Sequence, residues 1–329
     1  MNADAVFRAA KHALATLLAL LALGATASTQ DWPTKTVGIV VPFGPGSTPD
    51  VVARLVAEGL QQKYPASTFV VENKPGASGN LGTDIVAKAT PDGSTLGVSV
   101  GGPLAINTLL YSRLPYDPRK DIEPVTQLVS QPSVLAVNPA LGVNSVADFV
   151  ALLRKNPGKY NFASIGNGSL SHLAMEVIAL KAGAGLVHVP YPSSRQAITA
   201  VIRNDVQIAC LPAIAVTPHA AAGAAKMLAV STARRSPYLP DVPTLKGSGI
   251  DAEADAWNGL IAPAGTPRPI IERISKDVAE IIRQPMLHDN LATQLMEPVG
   301  SSPDELRARM DSEIERWAPV IKAANVTLN

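Results

Sequence analysis

The segment Val37–Leu60 reads VGIVVPFGPGSTPDVVARLVAEGL and contains one strand, one turn and one helix in succession. Val37–Val41 is a short β-branched run of the kind that forms a buried strand. Apolar residues then recur at helical spacing through Asp50–Leu60. The turn between them is rich in glycine and proline, which interrupt regular structure. Strand, turn and helix in this order are typical of an α/β domain.

The same alternation continues along the chain. Phe69–Val71 and Thr95–Val100 predict two more strands, and the pattern starts again after the proline-bearing passage Pro124–Pro132. Trp257–Ala262 predicts a late strand that precedes the terminal helices. Five runs in between predict the strands of a second sheet, namely Val134–Val137, Asn161–Ile165, Leu186–Val189, Gln207–Leu211 and Lys226–Val230.

This pattern predicts two α/β domains. Residues 28–132 and 254–329 are expected to form the first domain, and residues 133–253 the second. Each domain should hold a mixed, mostly parallel sheet flanked by helices. The chain would cross between the domains near Gln131–Val134 and near Ile250–Ala256. Two such crossings predict a hinge with a cleft beneath it.

The N-terminus has the three parts of a secretory signal. Arg8 and Lys11 precede the uncharged apolar run Ala13–Leu23, which the small residues Ala25–Ala27 follow. An uncleaved membrane anchor is the alternative, but the run falls short of the ~20 apolar residues that span a bilayer. We predict that residues 1–27 are a signal peptide, cleaved after Ala27, and that the mature protein works in the periplasm.

Composition argues against several classes of protein. Lys and Arg number 28 against 27 Asp and Glu, and aromatic residues make up 4%, so no basic face or stacking platform for nucleic acid is indicated. The single cysteine, Cys210, lies in an apolar run and predicts a buried inert thiol. Five scattered histidines form no ligand pair. We therefore predict no metal and no cofactor.

Two turns in the first half of the chain could meet a ligand. The turn before Asp50 places Thr48 as the predicted helix N-cap and Pro49 at the first helical position, where free N–H groups favour an anion. Asp50 either offsets the helix dipole or takes part in ligand binding or a hinge. The turn Asn73–Asn80 is better explained as a tight turn that packs the second helix on the sheet.

A turn in the second predicted domain, Ser164–His172, reads SIGNGSLSH and again joins a strand to a helix. Its glycines and hydroxyls suit hydrogen bonds to carboxylate oxygens. His172 is either a ligand contact or a capping or packing residue. Two anion-friendly turns on two domains predict a protein that closes on its ligand.

Catalytic motifs are missing from the sequence. It contains no GxGxxG fingerprint, no Walker loop and no GxSxG elbow. We predict no catalytic residue and no enzyme activity. The alternative is a periplasmic hydrolase that uses Ser164 or Ser169 with His172, although no acid partner is evident.

The motifs resemble one known family along nearly the whole mature chain. IVVPFGPGSTPD, VVENKPGASGN, PGKYNFASIGNGSLSH, STARRSPYLPDVPTL and WNGLIAPAGTPRP resemble the periplasmic solute receptors of tripartite tricarboxylate transporters, also called Bug proteins. The resemblance implies a two-domain Venus flytrap fold of the periplasmic-binding-protein type. It implies a small carboxylate ligand, membrane permease subunits as partners and, as we expect, a monomer. A related alternative is a sensor subunit that presents its ligand to a signalling protein.

The resemblance also implies which residues bind the ligand. The family usually has glycine where Ser47 stands, so this chain adds a hydroxyl to the first turn. On the first domain the implied residues are Phe43, Gly46, Ser47, Thr48 and Asp50, with Gly101 as an addition, and on the second they are Ser164, Gly166, Gly168, Ser169 and His172.

Overall fold

The computed structural model of the chain describes residues 32–328. The predicted signal peptide, residues 1–27, lies outside the described residues. The chain from Pro33 onward forms one compact unit, and the residues before it fall in a separate unit, of which Trp32 alone is described. Over the described residues, no helix combines the length and the apolar character that a membrane span requires.

The first sheet has the strand order β11-β4-β10-β3-β1-β2. β1 pairs in parallel with β2 and β3, whereas β10 runs antiparallel to β3 and β4, and β11 antiparallel to β4. The strands are β1 (Thr36–Val41), β2 (Thr68–Asn73), β3 (Thr95–Val100), β4 (Ile122–Gln131), β10 (Ala256–Pro263) and β11 (Glu297–Pro298).

The second sheet has the order β7-β6-β8-β5-β9. β6 pairs in parallel with β7 and β8, and β5 pairs antiparallel with β8 and β9. The strands are β5 (Ser133–Val137), β6 (Asn161–Ser164), β7 (Val187–Pro190), β8 (Ile208–Pro212) and β9 (Lys226–Val230).

Helices cover the faces of both sheets. Short 3₁₀ turns occur at Ala77–Gly79, Pro139–Leu141 and Lys246–Ser248, and a π-helical turn at Gly102–Ile106. The α-helices are α1 (Thr48–Lys63), α2 (Asn80–Ala87), α3 (Asn107–Leu110), α4 (Val146–Lys155), α5 (Leu170–Ala182), α6 (Ser194–Arg203), α7 (Ala213–Ala221), α8 (Arg268–Ile282), α9 (Pro285–Thr293) and α10 (Pro303–Ala324).

Mixed sheets flanked by helices were predicted, and this architecture is confirmed. The share of parallel pairing is smaller than expected, however, because β4, β5 and β10 all pair antiparallel with neighbours. Two consecutive strands can pair in parallel only if a long connection, usually a helix, carries the chain back to the starting end of the sheet. Pro132 alone separates β4 from β5, which lie in different sheets, so the chain changes sheet here without such a crossover.

Helix α10 contacts the cores of both sheets. Near its start Leu306 packs with Trp257 of the first sheet. Near its end Trp317 and Ile321 belong to the hydrophobic cluster that includes Phe162 of the second sheet. The two predicted crossings of the main chain did not include this third connection.

Candidate functional site

A cavity of about 520 Å³ lies between the two sheets and is lined by residues from both. Its walls are largely apolar and include Val100, Ile106 and Leu328. Among the described residues that line it, the charged ones are Asp255 and Glu313, and neither lysine nor arginine is present. The cavity therefore suits a ligand with a carbon skeleton that is bound without a cationic side chain.

The first turn, residues 42–49, lies at the end of β1 and contributes Phe43, Ser47 and Thr48 to the cavity wall. Ser47, not Thr48, is the N-cap of α1, with extended backbone at φ −71° and ψ 158°. The prediction was wrong by one residue, because the helix already includes Thr48 before Pro49. The hydroxyl of Ser47 caps no N–H group and is buried without a hydrogen-bond partner.

Asp50 lies behind this turn and holds it in shape. Its Oδ2 accepts from the backbone N–H of Gly46 (2.8 Å) and from Arg54 Nε (3.1 Å). Its Oδ1 accepts from Arg54 Nη2 and from Asn73 Nδ2, both at 2.9 Å. Burial alone would raise the pKa of Asp50, but the bonds from Arg54, Gly46 and Asn73 outweigh it and lower that pKa. Asp50 and Gly46, both predicted to bind the ligand, do not line the cavity.

The second turn, residues 165–169, faces the first across the cavity. Gly166, Asn167, Gly168 and Ser169 all line the cavity, and the family resemblance implies a ligand contact for Gly166, Gly168 and Ser169. Ser169 is the N-cap of α5: its Oγ accepts from the N–H of His172 (3.3 Å) and donates to the carbonyl of Gly166 (2.7 Å). The first-turn N–H groups of α5 therefore start at the cavity, as those of α1 do on the other side.

Two stacked imidazoles support the second turn from behind. The ring centroids of His172 and His188 lie 3.8 Å apart, and the two ring planes are inclined by 9°. His172 Nδ1 accepts from the backbone N–H of Gly168 (3.1 Å), and Ser164 Oγ lies 2.6 Å from His188 Nε2. Burial, and then the neighbouring His172, lower the pKa of His188 to about 4. Ser164 and His172, both predicted to bind the ligand, lie outside the cavity lining.

This arrangement bears on the hydrolase alternative. Ser164 pairs with His188 rather than with His172, and Ser164 is fully buried. Ser169 does reach the cavity, but its Oγ accepts from the backbone N–H of His172 and not from the imidazole. Within residues 32–328, no serine–histidine pair of side chains opens on the cavity.

The part of the cavity at the end of β3 and the start of β10 is called its floor here. It is formed by residues that the sequence mostly did not predict. Gly101 does line it, and a Cβ there would lie 2.9 Å from Trp257 Nε1, so the close approach of that indole requires glycine. Asn258 also lines it and is 3% exposed. A polar residue inside the apolar strand Trp257–Ala262 was the available signal for Asn258.

An ionic cluster adjoins the floor. Arg309 Nη2 lies 2.7 Å from Asp255 Oδ1 and 2.9 Å from Glu313 Oε1, and both carboxylates line the cavity. Burial raises the pKa of Glu313, while Arg309 and Arg316 oppose that rise. The described residues contain no group of three histidine, cysteine or acidic side chains able to hold a metal ion.

Known proteins resemble this chain in sequence and in fold. BugT of Bordetella pertussis is 33% identical over 94% of this chain and 96% of its own length. An R. palustris protein solved with adipate is 34% identical, with a TM-score of 0.77, over 90% of this chain and 99% of that one. MatC from Rhodopseudomonas palustris, solved with bound malate, is 30% identical, with a TM-score of 0.72, over 88% and 100%. Since residues 52–326 match the tripartite tricarboxylate transporter receptor family, the chain belongs to that family of solute receptors.

Proposed function

We propose that this protein captures a small organic carboxylate between the first and second turns and delivers it to the membrane permease of a tripartite transporter. The observation that carries the proposal is that two helix N-termini, of α1 and α5, start at one cavity from opposite sheets. Free N–H groups at such ends bind anions without a cationic side chain. Relatives solved with adipate and with malate support a carboxylate.

The apolar walls restrict the ligand further. A carboxylate with a short carbon chain would place that chain against Val100 and Ile106. A tricarboxylate would bring additional charge into a cavity whose charged lining residues, Asp255 and Glu313, are both acidic. The proposed ligand is therefore a mono- or dicarboxylate.

The proposal includes export and mode of action. Cleavage after Ala27 would release a periplasmic protein that works as a monomer, and the two sheets would close on the ligand about the segments near Pro132 and Ala254. Phe43, Ser47, Thr48, Gly166 and Ser169 are proposed as direct contacts because they line the cavity. Gly101 and Gly168 join them for the same reason, whereas Gly46, Asp50, Ser164 and His172 are proposed to hold the turns.

The test is calorimetric titration of the exported protein, whose intact mass should correspond to a chain that starts at Ser28. A panel of mono-, di- and tricarboxylates of two to six carbons is used, with the matching neutral amides as controls. We expect micromolar binding of at least one mono- or dicarboxylate and no binding of its amide. Tight binding of citrate without binding of any smaller acid would contradict the proposed ligand class.

A further inference from the structure

Asn258 is a polar side chain in an apolar wall. In β10 it lies opposite Val100 of β3 and Val129 of β4, and all three residues line the cavity. The starting end of β10 lies at the same edge of the sheet as the carboxyl end of β3, because these strands are antiparallel. That edge also carries the first turn, at the end of β1.

The amide of Asn258 is not used by the fold. Its Nδ2 is buried and has no hydrogen-bond partner, and the residue as a whole is 3% exposed. A buried donor without a partner costs free energy, so a valine like its two neighbours would suit the protein itself better. Rotation about χ2 exchanges Nδ2 and Oδ1 without a change of shape, so the N–H₂ group can be turned toward the cavity.

A second buried asparagine on the cavity behaves differently. Asn107 is 4% exposed and lines the same cavity, but its Nδ2 donates to Asn80 Oδ1 at 2.6 Å. Asn107 therefore has a structural role, whereas the Nδ2 donor of Asn258 has no partner within the described protein.

The charges near the floor indicate what this donor meets. Asp255 and Glu313 line the cavity; Arg309 pairs with both and Arg316 with Glu313, but neither arginine lines the cavity. A second carboxylate placed at this floor would meet like charge, whereas a hydroxyl or carbonyl oxygen would not.

We infer that Asn258 is a specificity-determining residue that donates a hydrogen bond to an uncharged oxygen of the ligand, so the ligand is a monocarboxylate that also carries a hydroxyl or carbonyl group. This inference rests on the proposed function, which requires only a carboxylate in the same cavity.

The test compares acids that differ only at the end opposite the carboxylate. Butanoate, 4-hydroxybutanoate and succinate form one series, and hexanoate, 6-hydroxyhexanoate and adipate form the other. In at least one series the wild type should bind the hydroxy acid about 5- to 10-fold more tightly than the other two acids. This factor is the contribution of one hydrogen bond to the affinity. In N258V the hydroxy acid should lose this preference, while the methyl-ended acid keeps its affinity within about twofold.

Two further variants keep the result interpretable. N258S retains a donor and should retain part of the preference, while N107V serves as a control for stability alone. The melting temperature gives a readout without ligand: N107V should lower it by about 2–4 °C, and N258V should not lower it. An equal fall in N258V and N107V, or an unchanged preference in N258V, overturns the role of Asn258.

The outcomes also separate this inference from the proposed function. If the wild type binds these acids with no preference for the hydroxyl, the carboxylate receptor stands and the role of Asn258 falls. If the wild type binds none of the six acids nor any other carboxylate of the panel, the proposed function falls, and the inference falls with it.

Discussion

Among single residues, Asp50 has the clearest effect on the site without touching the cavity. Its two oxygens accept from Gly46, Arg54 and Asn73, so the carboxylate links the first turn to α1 and β2. Replacing it with alanine (D50A) removes a buried acceptor and leaves the N–H of Gly46 unpaired, while Asn73 Nδ2 keeps its bond to the carbonyl of Phe43. We expect D50A to lower the free energy of unfolding by about 2–4 kcal/mol and to weaken carboxylate binding. Urea unfolding and calorimetry measure the two effects.

The matched control is Arg54, the charged partner of the same carboxylate. Its side chain is 54% exposed, so R54A should cost only about 0.5–1 kcal/mol and leave binding almost unchanged. Equal losses in D50A and R54A would show that the ion pair, and not the bond to Gly46, holds the first turn.

The sequence alone left Asp50 between a dipole role and a ligand role because spacing does not show which donors surround a carboxylate. The start of α10 differs, because its N-cap Ser302 and Glu305 are three residues apart and bond to each other reciprocally, an arrangement set by local sequence. Asn258 was not predicted, because only the pairing with β3 and β4 shows that its side chain lies on the cavity face.

At the scale of elements, the start of α5 depends on the imidazole pair beneath it. The pKa of His188 is lowered to about 4, whereas an unfolded histidine titrates near ~6.5. Between these values the unfolded chain binds a proton that the folded chain does not, so the free energy of unfolding falls as the pH drops. Because His188 is partly exposed, we expect a loss of about 1–2 kcal/mol from pH 7 to pH 5.

The measurement is urea unfolding at both pH values for the wild type, H188Q and H288Q. H188Q removes the titrating group and should reduce the loss on acidification, whatever its effect on stability at pH 7. His288 has a side chain that is 51% exposed and lies outside the stack, so H288Q should behave as the wild type. The same pH dependence in H188Q as in the wild type would assign the effect to other groups.

At the scale of the whole molecule, helix α10 joins the two sheets in addition to the two passages of the main chain. The alternation of strands and helices predicted two sheets and the passages of the main chain between them. The third connection, through α10, could not be predicted, because an amphipathic pattern does not show that Leu306 and Trp317 belong to different cores. The large fraction of antiparallel strand pairs was also not predicted. The direction of β10 depends on the path by which the chain returns to the first sheet.

Closure of the two sheets on a ligand can be tested at the second turn. Gly168 of the second turn lies against Leu110 and Leu328, and a Cβ there would come within 2.9 Å and 2.8 Å of their Cδ1 atoms. G168A should therefore hold the second turn away from these side chains, disfavour the closed form and weaken carboxylate binding about 5- to 10-fold. Small-angle scattering with saturating ligand should show the wild type contract and G168A contract less at equal occupancy.

The control must place alanine at a glycine with a positive φ like that of Gly168, but where the added Cβ meets no neighbouring side chain. Gly183, at the end of α5, has φ +65° against +71° at Gly168, and a Cβ there would meet no atom within 4 Å. G183A should cost about 1 kcal/mol of stability yet contract as the wild type does. If G168A and G183A contract alike on binding, the packing of Gly168 against Leu110 and Leu328 does not govern closure. The motion would then depend on the chain passages near Pro132 and Ala254 and on the packing of α10.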